Sequence, residues 1–221
     1  MNTSTPYLTK SRYIDALRCE KKLWLGWHER LPYEEALPFS ILDTGNRIGE
    51  GAWALFPDGV LITEKPYEHE AAVARTASLM AGDVPAIFEA AFEYDNVRIR
   101  VDVLERLEDG WGLREVKSST SASEDKGHVD DVAVQLYVLQ GAGVDITSVE
   151  LIHVNNQYVF DGGDIVWPEM LLRRDLTMEA RDRLPQVADK IPELFGVLGL
   201  DAPPEVYATK SLCSKPWRCD Y

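Results

Sequence analysis

The chain has 221 residues, 45% hydrophobic and 27% charged, enough for one ordinary to large globular domain with a real core. Its formal net charge of -14 argues against a surface that binds nucleic acid indiscriminately, which would be basic. No apolar run approaches a membrane span, and residues 1–6 have neither a basic nor an apolar leader region, so a cytoplasmic protein without a membrane partner is expected.

Residues 9–27 read as a helix that Thr9 or Ser11 can cap, with Tyr13, Leu17, Leu23 and Trp24 as an apolar stripe that takes in Cys19. This end is locally basic: Lys10, Arg12, Arg18, Lys21, Lys22 and Arg30 stand against Asp15, Glu20 and Glu29. It suits a phosphate backbone or a solvated helix face, and charge alone favours the latter. Residues 31–40, with Pro32 and Pro38, read as a loop. Residues 41–56 read as a second helix carrying Gly45, Gly49 and Gly51, which cost helix stability and make sense where a backbone or ligand approaches closely. The turn Pro57-Asp58-Gly59 leads to a short strand over 60–62 and a helix over 67–81.

Strands are then predicted over 86–94, 97–106 and 111–118, joined at Asp95-Asn96 and Asp109-Gly110 into an antiparallel meander. After a polar loop, residues 128–141 form a helix with almost no polar face, which marks it as buried. Gln135 lies in its middle and needs hydrogen-bond partners there; His128, Asp131 and Gln135 share one face. A strand over 148–155 follows this helical crossover and can pair in parallel with the meander. Residues 158–160 are a further strand candidate. Residues 170–195 read as mostly helical, broken near Pro185 and Pro192, before an irregular tail. The expected class is α/β (α+β), a single domain over residues 1–221 with a mixed central sheet, an antiparallel meander and flanking helices.

The strand pair over 97–117 carries the candidate chemistry. Val97, Ile99, Val101 and Val103 are expected on one face and Asp102 on the other, while Glu115 and Lys117 share a face of the next strand. Asp102, Glu115 and Lys117 can therefore converge. Two carboxylates and an ammonium suit a hard divalent cation and hydrolysis at phosphate. A cross-strand salt bridge on a solvated face suits the same pattern, and strand alternation leaves both readings open. Glu89 reads as an exposed strand residue, with a carboxylate near the site as the alternative. His28, His69 and His153 show no ligand spacing. The three cysteines, Cys19, Cys213 and Cys219, are too few and odd for a disulfide framework; one near the start and two at the end allow a metal centre that ties the termini together.

In the order Asp102, then Glu115-Val116-Lys117, then a helix bearing Gln135-Leu136-Tyr137, the chain resembles the PD-(D/E)XK nuclease superfamily and, within it, the RecB-like branch. The cysteines narrow the resemblance to members with a 4Fe–4S cluster, such as the CRISPR-associated RecB-like exonucleases, which place one cysteine before the nuclease core and three after it. The segments 11–19, 45–49, 115–120 and 128–135 are similar to a bacterial family in which this module forms the N-terminal part of a longer chain, which implies a C-terminal domain or partner protein.

The resemblance implies a restriction-endonuclease-like core and a metal-dependent nuclease that hydrolyses DNA phosphodiester bonds, as an exonuclease on single-stranded DNA. It places Mg²⁺ or Mn²⁺ on Asp102, Glu115 and the Val116 carbonyl, has Lys117 orient water or stabilise developing charge, and has Gln135 and Tyr137 position the strand or the lysine. It assigns the cluster to Cys19, Cys213 and Cys219. The sequence departs from the family in two ways. Gly49 stands where the Gly-x-x-x-His element has its metal-binding His, with Glu50 adjacent as a substitute ligand, and the fourth cysteine is missing from the chain. These departures keep a second reading open: a catalytically weakened nucleic-acid-binding module, or an Fe–S-stapled structural module, of a larger protein.

Overall fold

Asp95 and Asn96 both take positive φ, 51° and 55°, and so make the two-residue turn that folds Ala86–Tyr94 (β3) back onto Val97–Leu107 (β4). A second tight turn leads through Gly110, at φ 140°, into Gly110–Lys117 (β5), completing the antiparallel meander. The structure, a computed structural model, describes residues 5–29, 39–120, 127–209, 213 and 219.

Further strands join the meander from both ends of the chain. They are Leu8–Thr9 (β1), Val60–Leu61 (β2), Ile146–Val154 (β6) and Leu171–Asp175 (β7). The result is a seven-stranded mixed sheet ordered β2-β3-β4-β5-β6-β7, with β1 paired to β4. As expected, β6 runs parallel to β5; the helix His128–Gly141 (α5) makes the crossover. The class is α+β.

Helices cover both faces, His69–Met80 (α4) and the short Trp167–Met170 (α6) among them. On one, Val132, Leu136 and Leu139 of α5 join Ile99, Leu113 and Leu151 of the sheet and Val187, Ile191 and Leu194 of Thr177–Leu198 (α7) in the main core. On the other, Ile48 and Ala52 of Phe39–Ala52 (α3) pack with Phe56, Phe88, Val103 and Ile152 in a smaller core. Among the described residues no helix is long and apolar enough to cross a membrane.

Several elements depart from expectation. The helix over 9–27 is two helices, Lys10–Arg18 (α1) and Glu20–His28 (α2), because Cys19 is extended at φ -157°. Its N–H still bonds the Asp15 carbonyl while its own carbonyl accepts from Lys22, so one residue ends the first helix and starts the second. Thr9 caps α1, as read from sequence, by accepting from the Arg12 N–H. Residues 171–175 form a strand, not helix, since the open edge of β6 supplies backbone partners that outweigh local propensity. Residues 158–160 form no strand. Helix α7 runs unbroken through Pro185 and Pro192, held by the buried Val187, Ile191 and Leu194.

Candidate active site

Strand β4 loses its neighbours on both sides at the same residue. Its ladder with β5 runs from Leu107–Gly110 to Val103–Arg114, and β1 then takes up the same edge at Val97–Arg98. Its ladder with β3 pairs Phe88 with Val103 and Ala90 with Val101, passing over Glu89 and Asp102 between them. Glu89 sits there at φ 57°, a left-handed conformation unusual for a non-glycine residue inside a strand. Both strands change phase at this point. Ile87 and Ala90 both lie in the main core although three residues apart, as do Val101 and Leu104. Val103 therefore faces the smaller core, not the face of Val97, Ile99 and Val101 where simple alternation puts it.

The lapse leaves the half-buried Asp102 carboxylate to do what a ladder carbonyl would do: its Oδ2 accepts from the Val116 N–H at 2.6 Å. A pocket of about 330 Å³ opens here, lined by Glu89, Asp102 and Val116 from the sheet and by Gly45, Gly49, Glu50 and Trp53 from α3 and the turn after it. Trp53 stacks on Phe88 and so walls one side, at 5.0 Å between ring centroids. Glu89 is half-buried on this pocket, not an exposed strand residue.

Behind Asp102, between the sheet and α5, lies a closed ring of alternating charge. Lys10 Nζ is 2.8 and 3.0 Å from the two oxygens of Glu115. Lys117 Nζ donates to Glu115 Oε1 and to Asp131 Oδ2, both at 2.5 Å. Asp131 Oδ1 lies 3.4 Å from Lys10 and closes the ring. Gln135 spans it from α5, donating from Nε2 to Glu115 Oε2 at 2.7 Å and to Asp131. Its Oε1 is buried and has no hydrogen-bond partner among the described residues.

The electrostatics follow from this arrangement. Burial alone would push Glu115 up, but the ammonium groups of Lys10 and Lys117 outweigh it and hold the carboxyl well below the usual range. Asp102 has the opposite fate: burial, then the charge of Glu115, pushes it up to about 7 despite Lys10 and the Val116 N–H. Burial likewise raises Asp131 and Glu89. The two lysines are raised, since the carboxylates around them outweigh their burial. One group of acids is thus split into a firmly ionised member and a member that holds its proton to near neutrality.

Of the residues read from sequence, Asp102, Glu115, Lys117 and Gln135 come together, and Val116 and Glu50 line the pocket. Tyr137 does not join them. Two residues on from Gln135, it points the other way around α5 and donates to Asp95 at the hairpin turn, 3.1 Å away. Lys10 was not among the residues singled out. Nothing local in the sequence says that the first residue of α1 meets the end of β5; that contact follows from the pairing of β1 with β4. Of the three glycines of α3, Gly51 is met closely by the Trp167 ring, while a side chain at Gly45 or Gly49 would meet open space.

The three cysteines are half-buried free thiols. Cys19 lies between α1 and α2, and Cys219 donates its N–H to the Cys213 carbonyl at 2.8 Å. Trp24 and His28 of α2 bond the carbonyls of Leu200 and Leu198, so the chain leaves α7 beside the helix that Cys19 begins. Residues 214–218 lie outside the described residues.

Among the described residues no three His, Cys, Asp or Glu side chains form a preassembled metal cage. The donor types around the pocket are nevertheless hard: the carboxylates of Asp102, Glu89 and Glu50 and the Val116 carbonyl, the oxygen chemistry that Mg²⁺ and Mn²⁺ prefer.

No protein-family model matches the chain, and no curated protein matches it. Among solved structures, the crystal structure of SSO0001 aligns with 93% of this chain and 91% of that one, at a TM-score of 0.33 and 11% identity. A likeness of that size carries neither fold nor function across.

Proposed function

We propose that this chain is a metal-dependent deoxyribonuclease of the RecB-like type, acting as an exonuclease on single-stranded DNA. The observation that carries the proposal is the paired lapse of β4 from both neighbours at Asp102, which places that carboxylate at an open pocket while Glu115, Lys117 and Gln135 are linked directly behind it. A solvated salt bridge needs no such lapse, no pocket and no buried glutamine.

Asp102 and the Val116 carbonyl, with Glu89 and Glu50 beside them, are the residues that would hold Mg²⁺ or Mn²⁺. When bound, that ion supplies Lewis-acid polarisation of the scissile phosphate and a bound water of lowered pKa. The protein's own part is charge and position. Asp102 must lose its proton to act as a ligand, and its raised pKa sets when it does so. Lys117 is the cation nearest Glu115 from within the same strand, and its ammonium can stabilise charge that develops on the phosphate oxygens. Gln135 fixes Glu115 and Asp131 relative to one another.

The 4Fe–4S cluster on Cys19, Cys213 and Cys219 belongs to the same proposal. Its support is the bonding of Trp24 and His28 to the Leu200 and Leu198 carbonyls, which brings the end of α7 beside the helix that Cys19 begins. A partner domain would then continue from that end.

The test is digestion of end-labelled single-stranded DNA with Mn²⁺, using the chain joined to whatever follows it. Cleavage is expected, and Asp102→Ala and Lys117→Ala should each lower it by at least about a hundredfold. A wild-type protein that binds single-stranded DNA without cleaving it would instead support the non-catalytic nucleic-acid-binding module. That reading is favoured by one observation, the glycine at position 49 where a metal-binding side chain is expected.

A further inference from the structure

Every acceptor site of the Glu115 carboxylate is occupied. Lys10 reaches both oxygens, Lys117 donates to Oε1 and Gln135 to Oε2: four donor contacts for about four lone-pair sites. The ring as a whole is neutral, two ammonium groups against Glu115 and Asp131. A divalent ion needs open carboxylate oxygens and an excess of negative charge, and this side of the site offers neither. The pocket side differs. Asp102 has one oxygen on the Val116 N–H, and Glu89 and Glu50 lie on the same pocket with no ammonium bonded to either among the described residues.

The two lysines are not equivalent. Lys117 lies in β5 itself, two residues from Glu115. Lys10 comes from the first residue of α1, a separate element; its side chain is 22% exposed against 28% for Lys117, and it reaches both oxygens of Glu115 and Asp131. Lys10 is therefore the ammonium that another element brings to the Glu115 carboxylate.

Resting on the reading of a metal-dependent site, we propose that Lys10 sets the divalent-ion demand of this site: its ammonium fills the cation position at Glu115, so that an ion binds on the Asp102 side and not on Glu115. Lys10 is a positioning and specificity-determining residue in this scheme. It does not touch the reacting phosphate.

The experiment is Mn²⁺ titration of the full chain at fixed ionic strength, with free Mn²⁺ followed by electron paramagnetic resonance. Lys10→Met should tighten Mn²⁺ binding by about tenfold or more, as removal of a unit charge within a few ångströms of the ion implies. Lys10→Gln, which keeps a hydrogen bond and a polar stem, should show the same gain and serves if Lys10→Met folds poorly. Lys10→Arg should stay near wild type. The gain should vanish in Lys10→Met combined with Glu115→Gln, measured against Glu115→Gln alone.

Unchanged or weaker binding in both neutral variants overturns the proposal, as does a gain of the same size in the Glu115→Gln background. If the lysine variants show the gain but no variant cleaves DNA, the inference stands and the nuclease reading falls. If wild type cleaves with Asp102-dependent Mn²⁺ binding and the lysine variants show no gain, the reverse holds. Absence of Mn²⁺ binding in all variants overturns both.

Discussion

Strand β5 carries two four-membered rings of alternating charge, back to back. On the α5 side is the ring Lys10–Glu115–Lys117–Asp131, with Glu115 almost wholly buried. On the α3 side, one residue earlier, Arg114 is almost wholly buried and pairs with Glu105 at 2.7 Å and Glu150 at 3.5 Å. Arg173 bonds the same two carboxylates, at 2.8 and 2.5 Å, and so closes the second ring. The counts and the topology match; the surroundings do not. The arginine ring is boxed in by Ser148 and Phe56 and, beneath the guanidinium, by Gly112. Its cations are planar and permanently charged. The lysine ring uses flexible, more strongly hydrated cations, sits beside an amide oxygen without a partner among the described residues and adjoins the strand lapse that opens the pocket. Paired charge is therefore no mark of a site by itself. The mark is paired charge beside a break in the sheet.

If that contrast is right, the arginine ring carries more of the stability than the lysine ring. Arg114→Met leaves Glu105 and Glu150 with Arg173 alone and buries no compensating charge. It should cost about 3 kcal/mol in urea denaturation, at the low end for a broken buried pair because the carboxylates are partly exposed. Lys10→Met should cost less, about 2 kcal/mol, since the buried Glu115 keeps Lys117 and Gln135. Equal losses would erase the distinction between the rings.

Gly112→Ala probes the arginine ring without removing a charge. A methyl group there would collide with the Arg114 guanidinium, which is almost wholly buried and bonded to Ser148 and Glu105. A loss of about 2 kcal/mol is expected by the same denaturation measurement, typical of overpacking, with Mn²⁺ binding unchanged. A neutral outcome would mean that the guanidinium is not held where the ring requires it.

These two rings also show what a sequence can and cannot disclose. The meander, the buried helix α5 and its central Gln135 were legible because strand alternation, turn residues and helical periodicity are local. So was the convergence of Glu115 and Lys117, fixed by a spacing of two. Val103 was misplaced because the phase change at Glu89 and Asp102 is a paired distortion that no alternation pattern encodes. Lys10 escapes because it reaches its ring from the far end of the chain, and Arg173 because it sits on the edge strand β7, which the sequence pattern reads as helix. Strand β7 was read as helix because it forms on the edge of β6, a tertiary demand. Tyr137 was assigned by resemblance alone, and helical geometry turns it away from Gln135.

A smaller effect separates the two sides of the lysine ring and is read as a slope with pH. Burial, then the charge of Glu115, raises Asp102 to about 7 from the ordinary 3.8. The folded state thus keeps a proton that the unfolded state has already lost. Stability contributed by this residue falls as pH rises from about 4 to about 7 and levels off beyond. Asp102→Asn removes that slope, so its stabilisation over wild type should grow across the same interval and then hold. Mn²⁺ binding by wild type should run the other way, strengthening up to about pH 7 as the proton is displaced. A stabilisation by Asp102→Asn that is flat across this interval would place the proton elsewhere.

The slightest change in stability and the most pointed test of the pocket is Gly49→His. Position 49 lies in α3 on the pocket wall, and a Cβ there meets nothing within 4 Å. The substitution should therefore fit without strain and, by replacing a helical glycine, stabilise by about 0.3–0.5 kcal/mol. Its real consequence is chemical. An imidazole would add a nitrogen donor to the oxygen set of Asp102, Glu89, Glu50 and the Val116 carbonyl. Mn²⁺ binding should tighten relative to wild type, and the gain should disappear in Gly49→His combined with Asp102→Asn, because the new donor acts only with the carboxylate across the pocket. The same substitution has no route to the arginine ring, whose charges lie among Glu105, Arg114, Glu150 and Arg173. If Gly49→His stabilises as predicted yet leaves Mn²⁺ binding untouched, the pocket beside the lysine ring is no more a cation site than the packed interior around Arg114, and the contrast between the two faces of β5 loses its functional meaning.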